Sequence, residues 1–185
     1  VKIIGVNGSL SANSKTFKGI KAILDTAQKQ GAEVQMYDLR EKPLPMYSPD
    51  DSYELTDQNV REFRQLLLEA DGIVLGSPEY HGSMSGVFKN AMDWVSSEQF
   101  IDKPVALVSA AGGPTSMTTL TSMQVMIRNL YGWVVPTLGS IPGQTQFDKD
   151  GSFVEEGMRK RFNLMGEELV NMAELLKGKR AVKKG

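Results

Sequence analysis

The chain has 185 residues, 41% of them hydrophobic, and a formal net charge of −1, which allows one domain with a sizeable core and provides no field for gathering nucleic acid. Cysteine is absent and histidine occurs once, as His81, so disulfides, thiol nucleophiles, thiolate metal sites and multi-histidine metal centres are excluded. No apolar run approaches the roughly 18 residues of a membrane-spanning helix, and the chain opens on a strand rather than a signal peptide; no nucleic acid, membrane or metal partner is expected, and the expected compartment is the cytoplasm.

In chain order, Ile3–Val6 reads as a buried strand that runs into Gly8-Ser9-Leu10-Ser11-Ala12-Asn13-Ser14-Lys15-Thr16. A strand that ends in small and hydroxylated residues and passes into a helix offers unpaired N–H groups and a positive helix end at one point, a cradle for an anionic phosphate. The spacing satisfies neither G-x-x-x-x-G-K-[ST] nor G-x-G-x-x-G. An ordinary turn with an N-cap at Asn13 or Ser14 accounts for the same residues. Phe17, Ile20, Leu24 and Ala27 then mark a helix face, and Glu33–Leu39 a second strand.

Arg40 to Thr56 is a long loop stiffened by Pro43, Pro45 and Pro49. Helical spacing returns at Val60, Phe63, Leu67 and Ala70, followed by a third strand over Gly72–Gly76, a loop from Ser77 to Gly86, and a helix beginning near Val87. A fourth strand over Val105–Ser109 leads into Ala110-Ala111-Gly112-Gly113-Pro114-Thr115, a helix carrying Leu120, Met123, Ile127 and Leu130, and a fifth strand over Trp133–Pro136. Asp148-Lys149-Asp150-Gly151 has its glycine too early for a calcium loop and reads as a turn. Met158, Phe162, Met165, Leu169, Met172 and Leu176 mark a long terminal helix. Its methionines, like Met117, Met123 and Met126, read as core packing, with a subunit interface as the alternative.

Strand runs such as Ile73-Val74-Leu75 are apolar without alternation, as expected when helices cover both sheet faces. The expected fold is therefore α/β, a doubly wound five-stranded parallel sheet of order 2-1-3-4-5. Residues 1–178 form one domain and 179–185 a basic C-terminal tail. In such a sheet a ligand sits beyond the carboxyl ends of the strands where their order reverses. That rule brings together the loops after strands one, three and four.

At these loops the chain resembles the flavodoxin-like FMN-dependent NAD(P)H reductases. The residues that carry the resemblance are Gly8-Ser9-Leu10 with Ser14, Leu44-Pro45-Met46-Tyr47, Ser77-Pro78-Glu79-Tyr80 through Gly86, and Lys89-Asn90-Ala91-Met92-Asp93-Trp94. The resemblance implies a bound FMN whose phosphate rests on Ser9, Ser11, Ser14, Lys15 and Thr16. It places the isoalloxazine against Pro78, Glu79, Tyr80, His81 and Gly82, with its pyrimidine edge near Gly112 and Gly113. Members often carry Arg where this chain has Ser11, Asn where it has Thr16, and Asn where it has His81.

The resemblance further implies hydride transfer from NADPH or NADH to FMN and onward to quinone, azo, nitro, flavin or metal-oxyanion acceptors by a ping-pong cycle. No side-chain nucleophile is needed, because the chemistry resides at the flavin N5. A homodimer or homotetramer is the implied assembly. The rival reading is a flavodoxin-like electron carrier without a hydride-donor site, disfavoured by the near-neutral charge and the serine-rich first loop.

Overall fold

The computed structural model describes residues 1–50 and 57–183. In chain order it contains β1 (Lys2–Asn7), α1 (Lys15–Lys29), β2 (Glu33–Asp38), α2 (Gln58–Glu69), β3 (Gly72–Tyr80), β4 (Ser83–Met84), α3 (Gly86–Asp93), α4 (Ser97–Phe100), β5 (Pro104–Ala110), α5 (Met117–Asn129), β6 (Trp133–Val134), β7 (Gly139–Ile141) and α6 (Glu156–Lys183). Asp51 to Thr56 of the long loop lie outside the described residues. The terminal helix continues into the expected tail as far as Lys183.

The sheet runs β2-β1-β3-β5-β6 with all four pairings parallel, the expected order once strands are counted along it. Two departures sit at its carboxyl edge. The fifth strand, expected over Trp133–Pro136, ends at Val134 and resumes as β7, which pairs in parallel with the far half of β5. Pro136 interrupts it, because a proline has no N–H to give the ladder. The third strand, expected to stop at Gly76, continues to Tyr80. Ser77 and Pro78 pair with Ser109 and Ala110, and Glu79 and Tyr80 turn back antiparallel on Met84 and Ser83. Pro78 is tolerated there because its nitrogen faces the β1 side, where the ladder has already ended at Asn7 and Gly76.

Alternate strand residues feed two cores. Ile4, Ile73, Leu75, Val105 and Leu107 pack under Phe63 and Leu67 of α2, Phe88 of α3, Phe100 of α4 and Leu120 and Met123 of α5. On the other face, Ile3, Val74, Ala106 and Val108 pack against Ile20 and Leu24 of α1 and Phe162, Met165 and Leu169 of α6. Burial on both faces is the reason these strands carry unbroken apolar runs. Met123 and Met165 are fully buried, and Met158 and Met172 pack on the second core from its margin. Met117, expected as core, is exposed instead, because it opens α5 at the sheet edge where no layer covers it.

Candidate active site

The loop after β1 folds back on itself before α1 begins. Ser9 is buried, its N–H donates to Asn7 Oδ1 at 3.3 Å, and its hydroxyl accepts the N–H of Ser11. Ser14 is the N-cap of α1, its Oγ accepting the N–H of Phe17 at 3.0 Å. Of the two expected caps, Ser14 fills the role. Asn13 instead accepts a hydrogen bond from the Lys18 ammonium. Lys15 and Thr16 are the first helical residues, so their N–H groups have no intrahelical acceptor and point out of the helix end. Thr16 is buried and Ser11 exposed. Serine and threonine hydroxyls that accept one bond still have a proton to donate, so Ser9 and Ser14 keep a donor for an anion.

Lys15 reaches beyond the cradle. Its ammonium donates to the carbonyl of Gly143, in the segment after β7. The cradle residues thus lie at one point, with their cation reaching sideways to a neighbouring loop.

The segment after Gly76 is a tight hairpin. His81 and Gly82 have φ of 54° and 74° and join Tyr80 to Ser83, a two-residue turn with both central residues left-handed, as a type I′ turn requires. Histidine, like asparagine, is enriched at such angles, which valine and isoleucine avoid. The hairpin is held from below. The Glu79 carboxylate accepts the N–H of Thr119 at 3.0 Å, capping the first turn of α5, whose own N-cap residue Ser116 makes no side-chain cap bond. A negative charge at a helix start is also favoured by the helix dipole. Glu79 therefore serves the hairpin structurally, while Tyr80 projects into solvent at 54% exposure.

Two buried serine bridges hold the loops side by side. Ser85, the N-cap of α3, donates from Oγ to the Gly8 carbonyl at 2.6 Å, and its N–H donates to Ser77 Oγ at 2.9 Å. This ties the hairpin to the cradle. Across the sheet, Ser116 Oγ donates to the Ser109 carbonyl at 2.8 Å and lies 3.1 Å from Ser140 Oγ, tying the loop of Gly112 and Gly113 to β7. Residue patterning did not single out these serines. The signal for Ser85 was its place directly before a helical run, an N-cap signature.

Gly112 and Gly113 are exposed, and a Cβ on either would meet no atom within 4 Å. The space above their backbone is open. The long loop borders the same edge: Pro45 O accepts from Asn90 Nδ2 at 2.8 Å and Trp94 Nε1 at 2.9 Å, Asn90 Oδ1 accepts the Tyr47 N–H, and the Tyr47 ring stands edge-on to Trp94 at 5.0 Å. Those bonds explain physically why the Leu44–Tyr47 and Lys89–Trp94 segments go together. Leu10 is 53% and Met46 78% exposed, so two of the neighbouring loops carry apolar side chains open to solvent, and with the uncovered Gly112–Gly113 backbone they leave an open shelf.

A cleft of about 520 Å³ opens at the cradle itself, lined by Ser11, Asn13 and Ser14 together with Lys18, Lys21, Arg40 and the Asp148–Gly151 turn. Its lining carries both cations and carboxylates, and Asp150 is held below the usual carboxylate range by the Ser152 N–H, then by the Ser152 hydroxyl. The expected turn is present, with Gly151 at φ 85°.

The sequence model of the family described as NADPH-dependent FMN reductase matches residues 1–146. Over 150 residues the chain is 33% identical to the FMN-dependent NADPH-azoreductase of Staphylococcus aureus, covering 79% of this chain and 80% of that protein. Among solved structures, the flavoenzyme NAD(P)H:(acceptor) oxidoreductase FerB from Paracoccus denitrificans superposes with a TM-score of 0.79 at 20% identity, over 94% of this chain and 97% of that one. An oxidoreductase from Corynebacterium diphtheriae gives 0.73 at 20% identity, over 93% and 96%. These two establish a flavodoxin-like fold. The sequence match along most of the chain goes further: the chain belongs to the NADPH-dependent FMN reductase family.

Proposed function

We propose that the chain is an FMN-dependent oxidoreductase that takes hydride from NADPH or NADH and reduces azo, quinone, nitro, flavin or metal-oxyanion acceptors in a ping-pong cycle. The observation that carries this reading is the assembly, at one sheet edge, of an anion cradle, a rigid hairpin and an open Gly-Gly backbone. The donor set suits FMN: N–H groups and hydroxyls at a helix start for a phosphate, and free backbone beside a shelf for a flat polar ring.

In this reading Ser9, Ser11, Ser14, Lys15 and Thr16 hold the phosphate. Pro78 to Gly82 support the ring, with Glu79 acting through its grip on α5 and His81 through its backbone conformation. Gly112 and Gly113 present N–H groups to the pyrimidine edge, where negative charge on the reduced ring would be stabilised. When bound, FMN supplies the centre that accepts hydride from a nicotinamide and releases electrons to a second substrate. Leu10, Met46 and Tyr80 leave the shelf open and apolar, and such a face selects weakly among flat acceptors.

A homodimer or homotetramer belongs to the same reading, supported by the exposed Met117, Val125, Tyr131 and Trp133, which a partner subunit would cover. Steady-state kinetics with varied NADPH and a quinone or azo dye check the cycle. Parallel double-reciprocal lines are expected, and intersecting lines would contradict alternating use of one shelf.

A further inference from the structure

We propose that Lys15 is a positioning residue that couples the phosphate cradle to the loop carrying Gly112 and Gly113. This rests on the FMN site proposed above. Lys15 is the only charged residue between Gly8 and Thr16 and opens α1, so its backbone faces the anion position while its ammonium donates to the Gly143 carbonyl. Gly143 in turn donates its N–H to the Gly113 carbonyl at 2.8 Å. A Cβ on Gly143 would lie 2.0 Å from the Gly112 oxygen, so the two backbones are in direct contact. The Ala111 N–H to Ile141 carbonyl bond, 3.0 Å, continues the same pairing beyond the last β5–β7 register pair. One cation is thus joined through two hydrogen bonds to the loop at the pyrimidine edge.

A lysine ammonium carries three donor protons and no acceptor. It can therefore keep the Gly143 carbonyl and donate to a phosphate oxygen of the ligand at the same time. Phosphate binding would then brace the Gly112–Gly113 loop, and by linkage a braced loop would favour phosphate binding.

The test compares flavin-free wild-type protein with Lys15→Met and Lys15→Arg, by titration with FMN and with riboflavin and by hydrogen exchange at the Gly143 amide. Lys15→Met is expected to weaken FMN binding roughly tenfold to a hundredfold, the worth of one charge-assisted hydrogen bond, and riboflavin binding much less. Without flavin its Gly143 amide should exchange faster than in wild type. FMN, and not riboflavin, should slow that exchange in wild type. Lys15→Arg, which keeps the charge and the donors, should restore both properties and shows that a loss in Lys15→Met is not misfolding. Equal losses for FMN and riboflavin, or an unchanged Gly143 amide, overturn the coupling. Wild type that binds FMN alongside a Lys15→Met variant that binds it equally well overturns this proposal alone, whereas wild type that binds neither flavin overturns the site reading beneath it.

Discussion

His81 stands at the first left-handed position of the β3–β4 turn, with a φ of 54°. An L-residue with a Cβ pays roughly 1–2 kcal/mol in that region, least for residues whose side chains settle there easily. Replacing His81 with Asn should change stability by less than about 0.5 kcal/mol, while His81→Val should cost about 1–2 kcal/mol. Urea midpoints of the two variants check this, and a valine variant as stable as wild type would mean that the turn is not fixed at this residue. The residue type at position 81 was plain in the sequence, and so was its loop; its role was not. The turn angle depends on how β3 pairs with β4, which residue type alone does not report. Glu79 follows the same logic, since its partner, the Thr119 N–H, lies 40 residues away on another element.

At the scale of elements, short β-rich runs identified all five strands of the main sheet path, and the three inner ones, β1, β3 and β5, are apolar without alternation because both their faces are buried. What they missed were edges set by partners: β3 runs on because β5 and β4 are there to pair with it, and the last strand breaks at Pro136. The long loop shows the same dependence. Pro43, Pro45 and Pro49 gave it stiffness on paper, yet its described part is fixed by Asn90 and Trp94 of the α3 region. Asn90→Ala removes two of these bonds and Trp94→Phe one. The first should cost about 1–2 kcal/mol in thermal or urea unfolding, and each should speed exchange of the Tyr47 amide. Unaltered exchange at Tyr47 in Asn90→Ala would show that the loop is held by other means.

For the molecule as a whole, a doubly wound parallel sheet brings the loops that follow its strands together at its carboxyl edge. The cradle, the hairpin and the Gly-Gly loop gather there because Ser85 bridges Gly8 to Ser77 and Ser116 bridges Ser109 to Ser140. Which loops converge was legible from strand order alone. How they are pinned was not, since Lys15 and Gly143 are 128 positions apart and nothing in local patterning joins them. Holding FMN at this edge and admitting a nicotinamide to it is what separates the proposed reductase from a carrier of the same fold. Anaerobic mixing of the FMN-loaded protein with NADPH, and separately with NADH, tests it most directly. Rapid bleaching of the flavin absorbance by at least one donor, with no other protein present, is the predicted result; a bound flavin that stays oxidised with both would contradict it.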